Sequence, residues 1–233
     1  MKLTTPSART AAFTRMDLLV AVAVVVLLAV IVLPALANDR ARSSRIVCAN
    51  NLRQIGLGFQ MWGNDRGDLP PWEIRPEQGG TLLHPLGVNA WLHFSWISNE
   101  LNSARVLFCP SDTGRPADDF SFRPDGGYLA VNNRNNATSY YLSHSSAGGQ
   151  WVMLAGDRNF ITLGGFGSCS RFPQTAFAPL PNLPGWDTNL HNASGNLVRF
   201  DGRVSQYSND ELRSAIAADP VDDRGILHIL KPR

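Results

Sequence analysis

The sequence predicts an α+β fold in which one long N-terminal helix packs on an antiparallel sheet. Three observations carry this. Leu18 to Ala37, LLVAVAVVVLLAVIVLPALA, is apolar and uncharged; the residues after it place apolar side chains at helical spacing; and from Trp72 to Tyr207 short apolar runs alternate with Gly, Pro, Asn and Asp. The chain has 233 residues, room for one domain of ordinary size plus an anchor. Hydrophobic residues make up 44% of it and charged residues 17%, and much of the apolar excess lies before residue 38. The formal net charge of +2, with both signs interspersed, gives no electrostatic footprint for nucleic acid.

The first element follows from its length. At about 1.5 Å per residue a helix over Leu18–Ala37 spans roughly 30 Å, the thickness of a bilayer's hydrocarbon. A soluble core helix would carry a polar face, and this run has none. A cleaved secretory signal would have a shorter apolar core and a small-residue cleavage site, so this segment is expected to stay in the mature protein. Pro34 near its far end removes one backbone donor and favours a bend. Lys2, Arg9 and Arg15 precede the segment and Arg40, Arg42 and Arg45 follow it, so charge asymmetry does not orient it.

The second part of the helix is amphipathic. Cys48, Leu52, Ile55, Phe59 and Trp62 fall on one face, and Asn64-Asp65-Arg66-Gly67-Asp68 with Pro70-Pro71 ends the helix. Gly56 and Gly58 each lower helix propensity by about 1 kcal/mol relative to Ala, which predicts a close packing partner there. Further on, Arg105–Phe108, Ser139–Leu142, Trp151–Leu154 and Asn196–Phe200 read as strands, and Asp201-Gly202 before Arg203–Tyr207 reads as a tight hairpin turn. Asn132–Asn136 and Gly164–Gly185 read as surface loops. Ser208-Asn209-Asp210-Glu211 resembles a capping box for a short helix carrying Leu212 and Ile216 and closed by Asp219-Pro220.

Ala12-Phe13-Thr14-Arg15-Met16-Asp17-Leu18-Leu19 resembles the signature Gly-Phe-Thr-Leu-Ile-Glu-Leu-Leu at the head of type IV prepilins and type II secretion pseudopilins. The resemblance implies a pilin-like fold, a leader of residues 1–12, cleavage between Ala12 and Phe13 by a prepilin peptidase, and methylation of the new Phe13 amine. It further implies a membrane helix over 13–37, an amphipathic continuation over 38–64 and an exported domain over 65–233. In the family the Glu neutralises the amine of a neighbouring subunit; here Asp17 takes that place, one methylene shorter, and Ala12 stands for the family Gly. The implied setting is the inner membrane, single-pass, with sibling pseudopilins, the secretion or pilus platform and membrane lipid as partners.

Cys48-Ala49-Asn50-Asn51-Leu52-Arg53-Gln54-Ile55-Gly56-Leu57 is similar to a segment found just after the anchor in a bacterial group of pseudopilin-like proteins known by a C-terminal His-x9-Asp-Gly motif. His191, Asp201 and Gly202 carry that spacing, and Phe108-Cys109-Pro110-Ser111-Asp112 and Ala155-Gly156-Asp157-Arg158-Asn159 resemble internal landmarks of the group.

For chemistry the sequence offers three candidates. His191 on a strand and Asp201 at the following turn form either a register-locking bond or the acid–base pair of a tethered hydrolase. No Gly-x-Ser-x-Gly elbow, His-Glu-x-x-His helix or phosphate loop accompanies them, and no enzyme activity is expected. Asp157, Asp187 and Asp201 are calcium candidates, since some secretion pseudopilins bind calcium, although their spacing matches no calcium loop; no other cofactor is expected. Tryptophans including Trp72, Trp91, Trp96, Trp151 and Trp186 serve either as core or as a glycan platform of a tethered binding protein that does not polymerise. Cys48, Cys109 and Cys169 lack a Cys-x-x-Cys spacing. Cys48 on the buried helix face and Cys109 after a crossing strand are the preferred disulfide, leaving Cys169 over; three buried free thiols is the open alternative.

Overall fold

The computed structural model describes residues 15–144, 153–162, 167–168, 175–179, 184–218 and 226–232. Helix α1 (Arg15–Asn64) is followed by α2 (Ala90–Trp96) and α3 (Ser98–Leu101). The strands are β1 (Tyr140–His144), β2 (Met153–Asp157), β3 (Phe160–Thr162), β4 (Gly167–Ser168), β5 (Thr175–Pro179), β6 (Pro184–Trp186), β7 (Ser194–Arg199) and β8 (Val204–Ser208). Helix α4 (Asn209–Ala218) and β9 (Ile226–Leu230) complete the chain. The protein is therefore α+β, a long N-terminal apolar helix followed by helical turns and an antiparallel sheet.

By internal contacts the chain forms two units, Met1–Arg42 and Ser43–Arg233, and α1 begins in the first and ends in the second. In the first unit Leu18 to Leu36 present exposed apolar side chains on every face. This stretch is long and apolar enough to cross a membrane by length and composition. Pro34 lies inside the helix. Ala12 and Phe13 lie outside the described residues.

In the second unit the helix becomes one-sided. Cys48, Leu52, Ile55, Phe59 and Trp62 are buried while Ile46, Leu57 and Met61 are exposed, as the spacing predicts. The buried face joins Trp72, Phe94, Ile97, Leu107, Tyr128, Tyr140, Leu154 and Val198 in one core. A Cβ on Gly56 would lie 2.8 Å from Val198 Cγ2, and one on Gly58 would lie 3.1 Å from Leu101 Cδ2. These glycines let the helix approach the sheet at one point and α3 at the other, the packing partners their low propensity predicts.

The seven-stranded sheet runs β4-β5-β9-β1-β2-β7-β8, and β3 pairs with β6 in a separate ribbon. Its second face carries a smaller core of Tyr141, Met153, Phe160, Trp186, Leu197, Leu212 and Ile229. The Asp201-Gly202 hairpin forms as predicted: Gly202 has φ 79°, Gly202 N donates to Arg199 O at 2.9 Å, and Asp201 Oδ1 accepts from Arg203 N at 2.9 Å. The capping box of α4 forms too, with Ser208 N donating to Glu211 Oε2 at 2.8 Å and Glu211 N to Ser208 Oγ at 3.4 Å. Asp219-Pro220 lies outside the described residues.

Two expectations change. Arg105–Phe108 is not a strand: Ala104–Leu107 is a 3₁₀ turn, because Ser103 Oγ accepts from Arg105 N and ties the chain into a tight turn before extended Phe108. Gly164–Gly185 is not one surface loop, since it contains β4, β5 and the start of β6. β5 pairs along its whole length with β9, from Thr175↔Leu230 to Pro179↔Ile226. The distant C-terminal strand supplies the hydrogen bonds that local composition does not foretell.

Candidate functional site

The helix, the segment before β1, the end of β2 and the approach to β7 meet in one buried polar cluster. Cys48 and Cys109 form a disulfide with a Cα–Cα separation of 5.1 Å, both residues fully buried. One turn along the helix from Cys48, Asn51 Nδ2 donates to Phe108 O at 2.9 Å and to Tyr140 Oη at 3.2 Å. Covalent and hydrogen-bonded ties therefore fix the same two segments. Cys109 follows the 3₁₀ turn rather than a strand, and extended Phe108 brings it to the helix. Cys169 lies outside the described residues.

His191 does not sit on a strand. It precedes β7 in a sharp turn whose next residues, Asn192 and Ala193, take φ 54° and 56°. Such left-handed backbone costs non-glycine residues roughly 1 kcal/mol or more each, so the surroundings must hold it. They do: Ser194 Oγ donates to His191 O at 2.6 Å, Arg45 Nη2 to the same oxygen at 2.9 Å, and Ala193 N to Asp187 O at 3.1 Å. The turn carries the imidazole inward, where Nε2 lies 3.5 Å from Cys109 Sγ and 3.4 Å from Asp157 Oδ2.

The His191–Asp201 pair is therefore a correction, for either role it was given. β7 spans six residues, roughly 20 Å at about 3.3 Å per residue, and it separates His191 at one end from exposed Asp201 at the hairpin tip. Asp157 takes the place expected of Asp201. Asp157 Oδ2 also accepts from Asn196 N at 2.6 Å and Asn196 Nδ2 at 3.0 Å, while its Oδ1 is buried with no hydrogen-bond partner among the described residues. Next along the chain, Arg158 pairs with Asp112, whose other oxygen accepts from Ser139 Oγ at 2.6 Å.

Burial pushes Asp157 up to about 7, opposed by the two Asn196 bonds and helped by Asp112 nearby. Burial pushes His191 down to about 4, and the Arg45 charge adds to this. From pH about 4 to about 7 the pair thus holds one proton between the two side chains. For stability the signs oppose. The raised Asp157 value contributes stability at acid pH that is lost as pH rises to about 7. The lowered His191 value contributes stability present above its unfolded pKa of about 6.5 and lost as pH falls to about 4. The wild type is expected to be nearly flat over this interval. His191→Gln should expose a thermal midpoint that falls with rising pH, and Asp157→Asn one that rises. Thermal unfolding scans across pH 4–7 read this directly; parallel profiles for the two variants would refute the pairing.

The three calcium candidates each have other partners. Asp157 engages His191 and Asn196 through Oδ2 alone; Asp187 accepts from Asn189 N and Asn189 Nδ2, both at 2.8 Å; Asp201 accepts from Arg203 N in its own turn. These three carboxylates share no centre among the described residues. Trp72, Trp91 and Trp186 are buried in the cores and Trp96 is partly buried, so among the described residues these tryptophans form no exposed ring platform; Trp151 lies outside the described residues. Asp17 lies in the first turn of α1.

Sequence reading singled out Cys48, Cys109, His191 and Asp157 but missed the roles of Arg45, Asn51, Asp112, Tyr140, Arg158 and Asn196. Their signal was weak: nothing local marks which of the chain's many Asn, Asp, Arg and Tyr residues burial turns into an obligatory hydrogen-bonding group. No family model, curated protein or solved structure matches this chain.

Proposed function

We propose that this chain is a prepilin-like structural subunit of a type II secretion or type IV pilus-like assembly, anchored in the inner membrane and processed between Ala12 and Phe13. The observation that supports it is the division of labour along α1. One continuous helix is apolar on all sides over its first part and builds its second part into the core of the following domain. A subunit held to its siblings through such a helix needs that junction, because any load on the anchor passes through α1 into the domain. The disulfide and the Asn51 bonds are placed to carry it.

In this reading a prepilin peptidase removes residues 1–12, and Asp17 neutralises the Phe13 amine of a neighbouring pseudopilin within the lipid. The clustered polar residues are structural, and the domain's partners are sibling subunits and the membrane platform. Intact mass and N-terminal sequence of the membrane-extracted protein, expressed beside its peptidase, test the first step. A chain starting at methylated Phe13 is expected, and a chain retaining Met1 would overturn it. For the second step, Asp17→Lys should leave membrane insertion intact and abolish cross-linking between subunits; unchanged cross-linking would rule out the pairing.

A further inference from the structure

Among the described residues one group of metal-ligating side chains meets in a common space: Cys48, Cys109 and His191, whose ligand atoms all lie within 4.8 Å of one another, all three residues buried. A tetrahedral zinc holds sulfur at about 2.3 Å and nitrogen or oxygen at about 2.0–2.2 Å, so two of its ligands stand roughly 3.3–3.8 Å apart, widest for two sulfurs. His191 Nε2 already keeps that separation from two donors, 3.5 Å from Cys109 Sγ and 3.4 Å from Asp157 Oδ2. Asp157 also holds an oxygen, Oδ1, that is buried and has no hydrogen-bond partner among the described residues. Burying a carboxylate oxygen with nothing to bond is costly, and either a proton or a metal cation offsets that cost.

We propose that reduction of the Cys48–Cys109 bond converts this cluster into a zinc site, with the two thiolates and His191 Nε2 as ligands and Asp157, which stands 3.4 Å from His191 Nε2 but outside the 4.8 Å group, turning in as the fourth, oxygen donor. Two thiolates and one carboxylate bring three negative charges against zinc's two positive ones. Arg45, bonded to the His191 carbonyl, opposes the one left over. The ligands come from α1, the segment before β1, the end of β2 and the turn before β7. The metal would therefore latch four segments, where the disulfide latches two of them.

The chemistry balances. A dithiol reductant gives two electrons and two protons to the S–S bond and becomes a disulfide; the two freed thiols each release a proton on binding zinc, and Asp157 releases its own where it carries one. In reverse, an oxidising protein disulfide takes two electrons from the thiolates, the S–S bond closes and the metal leaves. Disulfide and metal exclude one another because one pair of sulfurs serves both. A newly made, still reduced chain would thus keep its segments assembled until oxidation.

The test uses the full chain in detergent micelles, unfolded in urea with a phosphine reductant and refolded without oxygen in the presence of Co²⁺. One cobalt per chain is expected, with thiolate-to-cobalt charge-transfer absorption and the intense visible bands of a tetrahedral site, both bleached by Zn²⁺. The oxidised wild type should show neither. Cys169→Ser should bind as the wild type does, and Asp157→Asn should bind about tenfold or more weakly. Zinc should also raise the urea midpoint of the reduced chain and leave the oxidised chain unchanged. An octahedral spectrum would overturn the proposal, as would the same bands in a Cys48→Ser/Cys109→Ser variant or loss of binding in Cys169→Ser. So would a reduced wild type that refolds no better with zinc than without.

Discussion

Replacing Cys48 and Cys109 together by alanine should remove about 4 kcal/mol of stability, the chain-entropy value for a crosslink joining residues 61 apart. The loop it closes runs from the helix through α2 and α3 to the segment before β1, so without the bond the unfolded chain gains the freedom of all those residues. In the folded state the apolar face of α1 would remain in the core, with the Asn51 bonds to Phe108 O and Tyr140 Oη and the Arg45 bond to His191 O beside it. Neutral hydrogen bonds like those of Asn51 contribute about 1 kcal/mol each, too little to replace the crosslink. Urea unfolding of the full chain in detergent measures the loss. With a dependence of about 2 kcal/mol per molar, the midpoint should drop by about 2 M. Cys169→Ala, whose sulfur is outside the crosslink, should leave it in place. An unchanged midpoint in the double variant would show that the Cys48–Cys109 bond does not hold the helix to the domain.

The two ends of that crosslink differ in how far the sequence reveals them. Cys48 was legible as a buried helix position because Leu52, Ile55, Phe59 and Trp62 repeat at helical spacing, a local pattern that needs no knowledge of the rest of the fold. Cys109 was legible only as a landmark, since the 3₁₀ turn before it depends on a Ser103 hydroxyl competing with extended backbone. The Asp201-Gly202 hairpin and the Ser208–Glu211 capping box were equally local, and both formed. What no local pattern carries is strand order. β2 lies beside β7, with Gly156 opposite Leu197, so the next residue of one strand, Asp157, meets Asn196 of the other. His191 reaches the same carboxylate because Asn192 and Ala193 turn the chain back on itself. From spacing alone Asp201 was the nearer partner for His191. The extended geometry of the intervening strand is what rules it out.

Phe59→Ala should cost about 3–5 kcal/mol, the range for deleting a fully buried aromatic ring and leaving its cavity behind. Phe59 is 1% exposed, on the face of α1 that enters the core. Its ring meets Trp72 edge-on at 5.4 Å and Phe94 at 6.1 Å, so truncation removes area burial and two aromatic contacts together. The indole of Trp72 also packs edge-on against His93, which is held by Gly87 O at 2.7 Å. Damage at Phe59 should therefore spread into the segment between α1 and α2, and the cavity should not collapse easily. Met61→Ala, two residues away and 56% exposed, should change stability by about 0.5 kcal/mol or less. Urea unfolding of the full chain in detergent separates the two. Equal losses would mean that the α1 face seen here is not the one that packs, and would remove the basis for reading the helix as both anchor and core.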